Sequence, residues 1–138
     1  MLEINDLNYL AILLAVLVNV GVGSWWYSPA GFGKKWTKYS KVDMMKSPKQ
    51  ETQRAIAVVF IGAIIQAVVL AVVLKSIQAD TITEGLITSF ILWLGFVAAT
   101  SIGDDLYSRK GWSYWWINAS FFLVTMLVNG AIIAVLQG

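Results

Sequence analysis

Four long runs of apolar residues divide the chain into five polar pieces. The runs cover residues of about 7–27, 55–74, 82–103 and 112–136. A helix needs about 20 apolar residues to cross the roughly 30 Å hydrocarbon core of a bilayer, and each run is about that long. The pattern therefore predicts an all-α fold, an integral membrane bundle of four transmembrane helices in a single domain over 1–138. All connections except the first are short, which favours an up-down-up-down arrangement.

The first connection is long enough to hold a further, shorter helix. Its aromatic residues recur at the spacing of one helix face, at Phe32, Trp36 and Tyr39. Its lysines fall on the other side of that helix, at Lys34, Lys35, Lys38 and Lys41. This pattern is typical of an amphipathic helix that lies in the membrane surface and extends its lysines to lipid headgroups.

Residues that cap helices precede the first three spans. An oxygen-bearing side chain at the N-cap accepts a hydrogen bond from a backbone N–H that has no partner inside the helix. A Glu or Gln three residues later completes a capping box. The expected capping residues are Asn5 or Asp6 for the first span, Ser47 with Gln50 for the second, and Thr81 with Glu84 for the third.

Nearly all the positive charge lies in two of the polar pieces, and only Lys75 falls elsewhere. Arg109 and Lys110 lie between the third and fourth spans. The other basic residues lie between the first and second spans, at Lys34, Lys35, Lys38, Lys41, Lys46, Lys49 and Arg54. Because short loops rich in Lys and Arg stay in the cytoplasm, we expect both basic loops inside and both termini outside.

Composition agrees with a lipid-facing exterior. The chain is 58% hydrophobic and 13% charged, with a mean hydropathy of +0.70, whereas soluble domains carry about 25% charged residues. The net charge is only +2. The lysines lie beside aromatic residues next to a span, where anionic headgroups are nearer than any nucleic acid. We therefore expect anionic lipid as a partner, and no nucleic acid.

The sequence contains no cysteine and no histidine. This excludes disulfides, thiolate catalysis, and metal or haem ligation through these residues. It also excludes acid–base catalysis by histidine. No Asp, Glu, Lys or Arg lies in the middle of a span, where proton-coupled transporters usually need one. We expect a protein that is not an enzyme and that has no cofactor and no metal site.

Six of the seven tryptophans lie near the predicted cytoplasmic edge of the membrane, and only Trp93 lies deep in a span. Trp and Tyr are enriched at membrane–water interfaces because their rings are amphipathic. The expected interfacial anchors are Trp25, Trp26, Tyr27, Trp36, Trp112, Trp115 and Trp116.

Several polar residues interrupt the spans and are candidates for a polar interior or a ligand-lining surface. They are Asn19, Gln66, Trp93, Thr100 and Asn118. An unpaired amide in hydrocarbon is costly, so these residues should face other helices. One hypothesis is that they hold the helices together, with Gln66 accepting the Trp93 indole N–H. The other is that they line a site for a solute.

Asp104 and Asp105 are the only paired carboxylates near a span. They either form a solvated helix end balanced by Arg109 and Lys110, or lie in a cytoplasmic vestibule that takes up a cation or a proton. The solvated helix end is the simpler interpretation, and the vestibule draws some support from the helix dipole, which makes an acid near a helix C-terminus unfavourable.

Small residues repeat every four positions along two spans, a pattern that lets helices approach closely. The two stripes are Gly95, Ala99 and Gly103, and Gly130, Ala134 and Gly138. One stripe would serve a contact inside the chain and the other a contact between subunits. We therefore expect a homo-oligomer or a membrane protein partner.

One motif resembles a known family. It reads Asn19-x-x-x-Gly23-x-Trp25-Trp26-Tyr27-Ser28-Pro29-x-x-Phe32-Gly33-x-x-Trp36. The similarity continues in Trp93-Leu94-Gly95-Phe96 and in Trp112 through Ile117-Asn118-Ala119. The family consists of small bacterial membrane proteins with four predicted helices and is catalogued as the domain of unknown function seventeen sixty-one. The resemblance implies a four-helix bundle in the bacterial inner membrane, and it implies no activity.

Three functions are consistent with these patterns. The leading expectation is a structural or accessory membrane subunit that acts by assembly in the bilayer. The alternative is a transporter or channel for a small uncharged or weakly cationic solute, using Asn19, Gln66, Trp93 and Asn118. A weaker third option is an enzyme that acts on lipid through Asp104 or Asp105.

Overall fold

The structure, a computed structural model, describes residues 1–43 and 45–137, and all regular elements in those ranges are helical. A π-helical turn over Leu94–Ala98 joins α4 to α5. The helices are α1 (Tyr9–Trp26), α2 (Gly33–Ser40), α3 (Lys49–Ser76), α4 (Ile82–Trp93), α5 (Ala99–Tyr107) and α6 (Gly111–Gln137). Four rods are long and apolar enough to cross a membrane: α1, α3, α6 and the continuous segment Ile82–Tyr107. This confirms the predicted all-α bundle, and α2 agrees with the expected amphipathic helix.

Two spans extend further than their apolar runs. The helix α3 begins at Lys49, before the expected start near residue 55, and the third rod continues to Tyr107. Polar side chains such as Lys, Gln and Glu are good helix formers, so a helix can continue past the apolar run into the headgroup region. Asp104 and Asp105 lie in the last turns of α5, past the expected end of the third span at residue 103.

The helix caps agree with the sequence at only one of three starts. The cap of α1 is Asn8, whose Oδ1 accepts the Ala11 N–H at 3.1 Å, so the expectation of Asn5 or Asp6 is wrong. Before α3 the N-cap is Pro48 and makes no side-chain bond. Ser47 instead donates to the Asp43 carbonyl.

The third capping box is confirmed. The Thr81 hydroxyl accepts the Glu84 N–H at 3.2 Å, and the Glu84 carboxylate accepts the Thr81 N–H at 3.1 Å. These two bonds satisfy backbone groups in the first turn of α4 that have no partner inside the helix.

The helix α6 lies at the centre of the bundle and contacts all the other helices. The helix α1 runs antiparallel to it, since Asn8 donates to the Leu136 carbonyl at one end and Trp26 to the Ile117 carbonyl at the other. We call one end the basic end; it holds α2, the start of α3 and the α5–α6 turn. The opposite end, called the terminal end, holds the N-terminal residues, the α3–α4 turn and the end of α6.

Two clusters of buried residues form the core. The first lies between α1, α3 and α6 and consists mainly of alanines, which allow close packing, with Leu74 and Ile133 between them. The second lies toward the basic end, between the third rod and α6. It contains Trp93, Ala98, Trp115, Ala119 and Met126.

The closest helix crossing joins α4 to α6. A Cβ added at Gly85 would overlap the Gly130 carbonyl, and one added at Gly130 would overlap the Ser89 hydroxyl. Gly130 and Ala134 therefore pack inside the chain, against Gly85 and Ser89. The other predicted stripe, Gly95, Ala99 and Gly103, is exposed. Gly138 lies outside the described residues.

The π-helical turn sets which face of α5 packs against α6. The buried positions Gly85, Ser89 and Trp93 are four residues apart, whereas the next buried position, Ala98, follows after five. A π turn adds one residue to a helical turn, so it keeps this longer step on the same side of the rod. As a result, Ala98 packs with Trp93 and Trp115 in the second core cluster.

Half of α3 lies outside the bundle core. The buried residues of α3 are Ala67, Leu70, Ala71 and Leu74, all in the half toward the terminal end. In contrast, the ten consecutive residues 53–62 are exposed around the whole circumference of the helix. We call residues 53–62 the free half of α3.

Candidate functional site

A polar network joins three helices where α3 leaves the bundle. The Asn19 Nδ2 of α1 donates to the Gln66 Oε1 of α3 at 3.4 Å. The Asn129 Nδ2 of α6 donates to the Asn19 Oδ1 at 3.3 Å. Both distances are long for N–H···O bonds, which usually measure about 2.7–3.2 Å. The network is therefore loosely held at its centre.

One end of this network has no partner. Asn129 is 1% exposed, and its Oδ1 is buried without a hydrogen bond to any described residue. Thr125, one turn earlier on α6, is also buried, but its hydroxyl bonds the Phe121 carbonyl of its own helix at 3.0 Å. An unsatisfied buried carbonyl costs about 1–3 kcal/mol, so this oxygen is a place where a donor would bind favourably.

The structure brings together only two of the five candidate interior residues, Asn19 and Gln66. The expectation that Gln66 accepts the Trp93 indole N–H is wrong, because Trp93 donates to the Ala119 carbonyl at 2.8 Å. Thr100 is exposed and donates to the Phe96 carbonyl of its own rod at 2.7 Å.

Asn118 belongs to a separate contact near the basic end. Its Oδ1 accepts the Tyr27 hydroxyl at 2.7 Å, so it joins the end of α1 to the start of α6. Asn129 takes the place in the interior network that the sequence suggested for Asn118. The sequence does show Asn129 as an amide deep in the last apolar run. Its partners on α1 and α3 could not be predicted, because they depend on how α6 is rotated about its axis.

Asp104 and Asp105 lie on the last turns of α5. Asp104 is exposed and Asp105 is half-buried. Within 1–43 and 45–137, no three acidic side chains gather into a group able to hold a metal ion.

The motif that resembles the known family forms a compact turn after α1. The Ser28 carbonyl accepts the N–H groups of both Gly31 and Gly33 at 3.0 Å. A Cβ at Gly31 would overlap the Trp25 carbonyl, and one at Gly33 would overlap the Tyr27 carbonyl. Glycine is therefore required at both positions for the chain to fold back so tightly.

The aromatic residues of this turn hold α1 and α2 against α6. Trp26 donates its indole N–H to the Ile117 carbonyl at 2.9 Å. Tyr27 packs edge-on against Trp36, with ring centroids 6.2 Å apart, and against Phe121 at 5.3 Å. These contacts fix the position of α2 beside the first turns of α6.

The expected interfacial anchors divide into two groups. Trp25, Trp112 and Trp116 are more than half exposed, as side chains at the membrane surface would be. Trp115 is only 6% exposed and donates to the Ser101 hydroxyl at 3.0 Å, so it packs inside the protein and not at its lipid surface. Trp26, Tyr27 and Trp36 are partly buried between the helices.

A groove opens where α2 lies beside α6. Its volume is about 250 Å³. Phe32, Lys35 and Tyr39 line it from α2 and the preceding turn, and Ser113, Trp116 and Ile117 line it from α6. Lys34, Lys38 and Lys41 are exposed and do not line it. Of the four lysines expected to reach headgroups, Lys35 alone lines this groove.

The comparisons with known proteins add a family and no activity. No curated protein and no solved structure matches the chain. A family model described as a protein of unknown function matches residues 10–134, which include all the network residues and all the groove residues. The chain therefore belongs to the family of proteins of unknown function called DUF1761.

Proposed function

We propose that this protein is a structural or accessory membrane subunit that acts by assembling with a second copy of itself in the bilayer. The observation that carries this proposal is the free half of α3. A helix in a bundle normally buries one stripe along its length. Residues 53–62 bury none of their faces against the described part of the chain. At 1.5 Å per residue, the free half is about 15 Å long.

Two glycines lie beside the point where α1 and α3 separate. Gly21 follows Asn19 on α1, and Gly62 precedes Gln66 on α3. Apart from the neighbouring residues of the same helix, no atom of the described structure lies within 4 Å of the position that a Cβ would take at either glycine. Small residues let another helix approach closely in a membrane. In the proposed dimer, the helix that approaches these two glycines is the free half of α3 from the second copy. The two-fold symmetry of such a dimer makes this contact reciprocal.

The two buried indoles serve the packing of the bundle. The N–H groups of Trp93 and Trp115 donate to the Ala119 carbonyl and the Ser101 hydroxyl. We propose no enzymatic role, and the absence of cysteine and histidine from the sequence supports this. The lysines of α2 favour an orientation with both basic loops cytoplasmic and both termini outside, and the proposed location in a bacterial inner membrane rests on the family resemblance alone.

Disulfide crosslinking tests the assembly directly, because the chain contains no native cysteine. Ile61→Cys places a thiol on the free half of α3, and Leu94→Cys is the matched control. These side chains are 55% and 51% exposed. In native membranes under mild oxidation, Ile61→Cys should give a covalent dimer and Leu94→Cys should not. A dimer only through Leu94→Cys would place the contact at the exposed stripe beside it and would refute the role of α3.

A second candidate function is passage of a small uncharged or weakly cationic solute. The unsatisfied Asn129 Oδ1 favours it, since a cation or a donor group would bind there. Flux into proteoliposomes that Asn129→Leu abolishes, with Thr100→Val as an exposed control, would support this function. Equal flux with and without the protein would remove it.

A further inference from the structure

The groove between α2 and α6 has a polar side and an apolar side. Lys35 and Ser113 supply an ammonium group and a hydroxyl, while Phe32, Trp116 and Ile117 supply apolar surface. No carboxylate lines the groove among the residues that the structure describes. The site thus has one positive charge, no negative charge to oppose an anion, and a wall suited to hydrocarbon.

We propose that this groove binds one anionic phospholipid, with its phosphate on Lys35 and Ser113. An ammonium has three donors and a hydroxyl has one, and both bond well to phosphate oxygens. Charge-assisted bonds of this kind are roughly twice as strong as neutral ones. Tyr39 also lines the groove, and a phenol hydroxyl is a further hydrogen-bond donor suited to a headgroup.

The apolar wall selects a lipid over a free phosphate ion. Ile117 lies one helical turn after Ser113, about 6 Å further along α6 toward the bundle interior. The phosphate end and the apolar end of the groove therefore follow the axis of the helix, as the headgroup and acyl chains of a lipid do. A free phosphate would use only the polar side.

The surrounding charge selects an anionic lipid over a zwitterionic one. Lys34 and Lys38 are exposed on the same short helix and raise the positive potential around the groove. Such a potential attracts anionic lipids, at about 1 kcal/mol per basic residue near a membrane surface. A zwitterionic lipid has no net charge, so this potential gives it no comparable attraction. This proposal goes beyond self-assembly and does not depend on it.

Native mass spectrometry of the full chain in detergent tests the site. The probes are phosphatidylglycerol, phosphatidylcholine with the same acyl chains, and inorganic phosphate. We expect one retained phosphatidylglycerol per chain, and no comparable retention of the other two. Lys35→Gln should weaken this binding at least about tenfold, the loss that removal of a charge-assisted bond implies.

Lys34→Gln is the matched control, because it removes the same charge from the adjacent position without changing the groove lining. It should leave the stoichiometry intact and weaken binding only slightly. Equal losses in Lys34→Gln and Lys35→Gln would overturn the proposal in favour of general surface attraction. Retention of phosphatidylcholine to the same degree, or of no lipid at all, would overturn it as well. Unchanged helical circular dichroism in both variants shows that the comparison is between folded proteins.

Discussion

The crossing of α4 and α6 gives a sharp test of the packing. In Gly130→Ala the new Cβ would overlap the Ser89 hydroxyl and the Gly85 carbonyl. The hydroxyl can rotate, but the carbonyl belongs to a helix backbone and cannot move without shifting α4. Overpacking a tight core costs about 1–3 kcal/mol. Replacing glycine by alanine in a helix gains about 1 kcal/mol, so we expect a net loss of up to about 2 kcal/mol.

Thermal unfolding in detergent, followed by tryptophan fluorescence, measures this effect. Gly103→Ala is the control, because its added Cβ has no described atom within 4 Å outside its own stretch of helix. The control should raise the midpoint, since only the gain in helix propensity applies. The double variant Ser89→Ala with Gly130→Ala should recover part of the loss, because the hydroxyl is gone while the Gly85 carbonyl remains.

We expect the same substitution to shift the unfolding midpoint in opposite directions at the two positions, down for Gly130→Ala and up for Gly103→Ala. If Gly130→Ala raised the midpoint as Gly103→Ala does, the two helices would not approach as closely as the structure has them. A full recovery in the double variant would show that the Ser89 hydroxyl, and not the backbone of α4, sets the distance.

Three further predictions use the same unfolding assay or a local probe. Gln78→Gly should raise the midpoint of thermal unfolding, because Gln78 has a positive φ of 58° and this conformation costs a residue with a side chain about 1–2 kcal/mol. An unchanged midpoint would contradict the left-handed turn. Ser101→Ala should lower the free energy of unfolding by about 1–3 kcal/mol, because the indole N–H of Trp115 loses its partner. A loss below about 0.3 kcal/mol would mean that water replaces this partner. Gly33→Ala should speed hydrogen exchange in α2, because the turn that positions it cannot close, whereas exchange in α6 should stay unchanged.

The hydropathy pattern predicted the rods well, because burial in lipid needs only a run of apolar residues. It predicted the helix starts less well. Asn5, Asp6 and Asn8 all carry a side chain able to cap α1. The choice falls on Asn8 because the backbone at Asp6 turns with a positive φ of 58°, so the helix begins beyond it. At that turn Lys75, near the end of α3, donates to the Asp6 carbonyl at 2.9 Å, a contact that the local sequence does not show.

Which face of each helix points into the bundle was harder to predict than the depth of each side chain in the membrane. Trp115 and Trp116 are neighbours of the same type, yet one is buried and the other is 56% exposed. Their difference depends on the rotation of α6, and four apolar helices give almost no amphipathic signal to fix it. The same difficulty explains why the sequence did not show that Gly85 and Ser89 form the α4 side of the close crossing.

The position of the polar network connects the packing of the monomer to its proposed assembly. Asn19 and Gln66 form the last polar contact between α1 and α3 before the free half begins. Their bond at 3.4 Å is long, so it favours the angle between the two helices only weakly. If the proposed dimer forms through the free half of α3, the packing of the second copy acts on this angle and on the distance from Asn19 to Asn129. A substitution at Asn19 should then alter both the proposed assembly and the environment of the Asn129 oxygen.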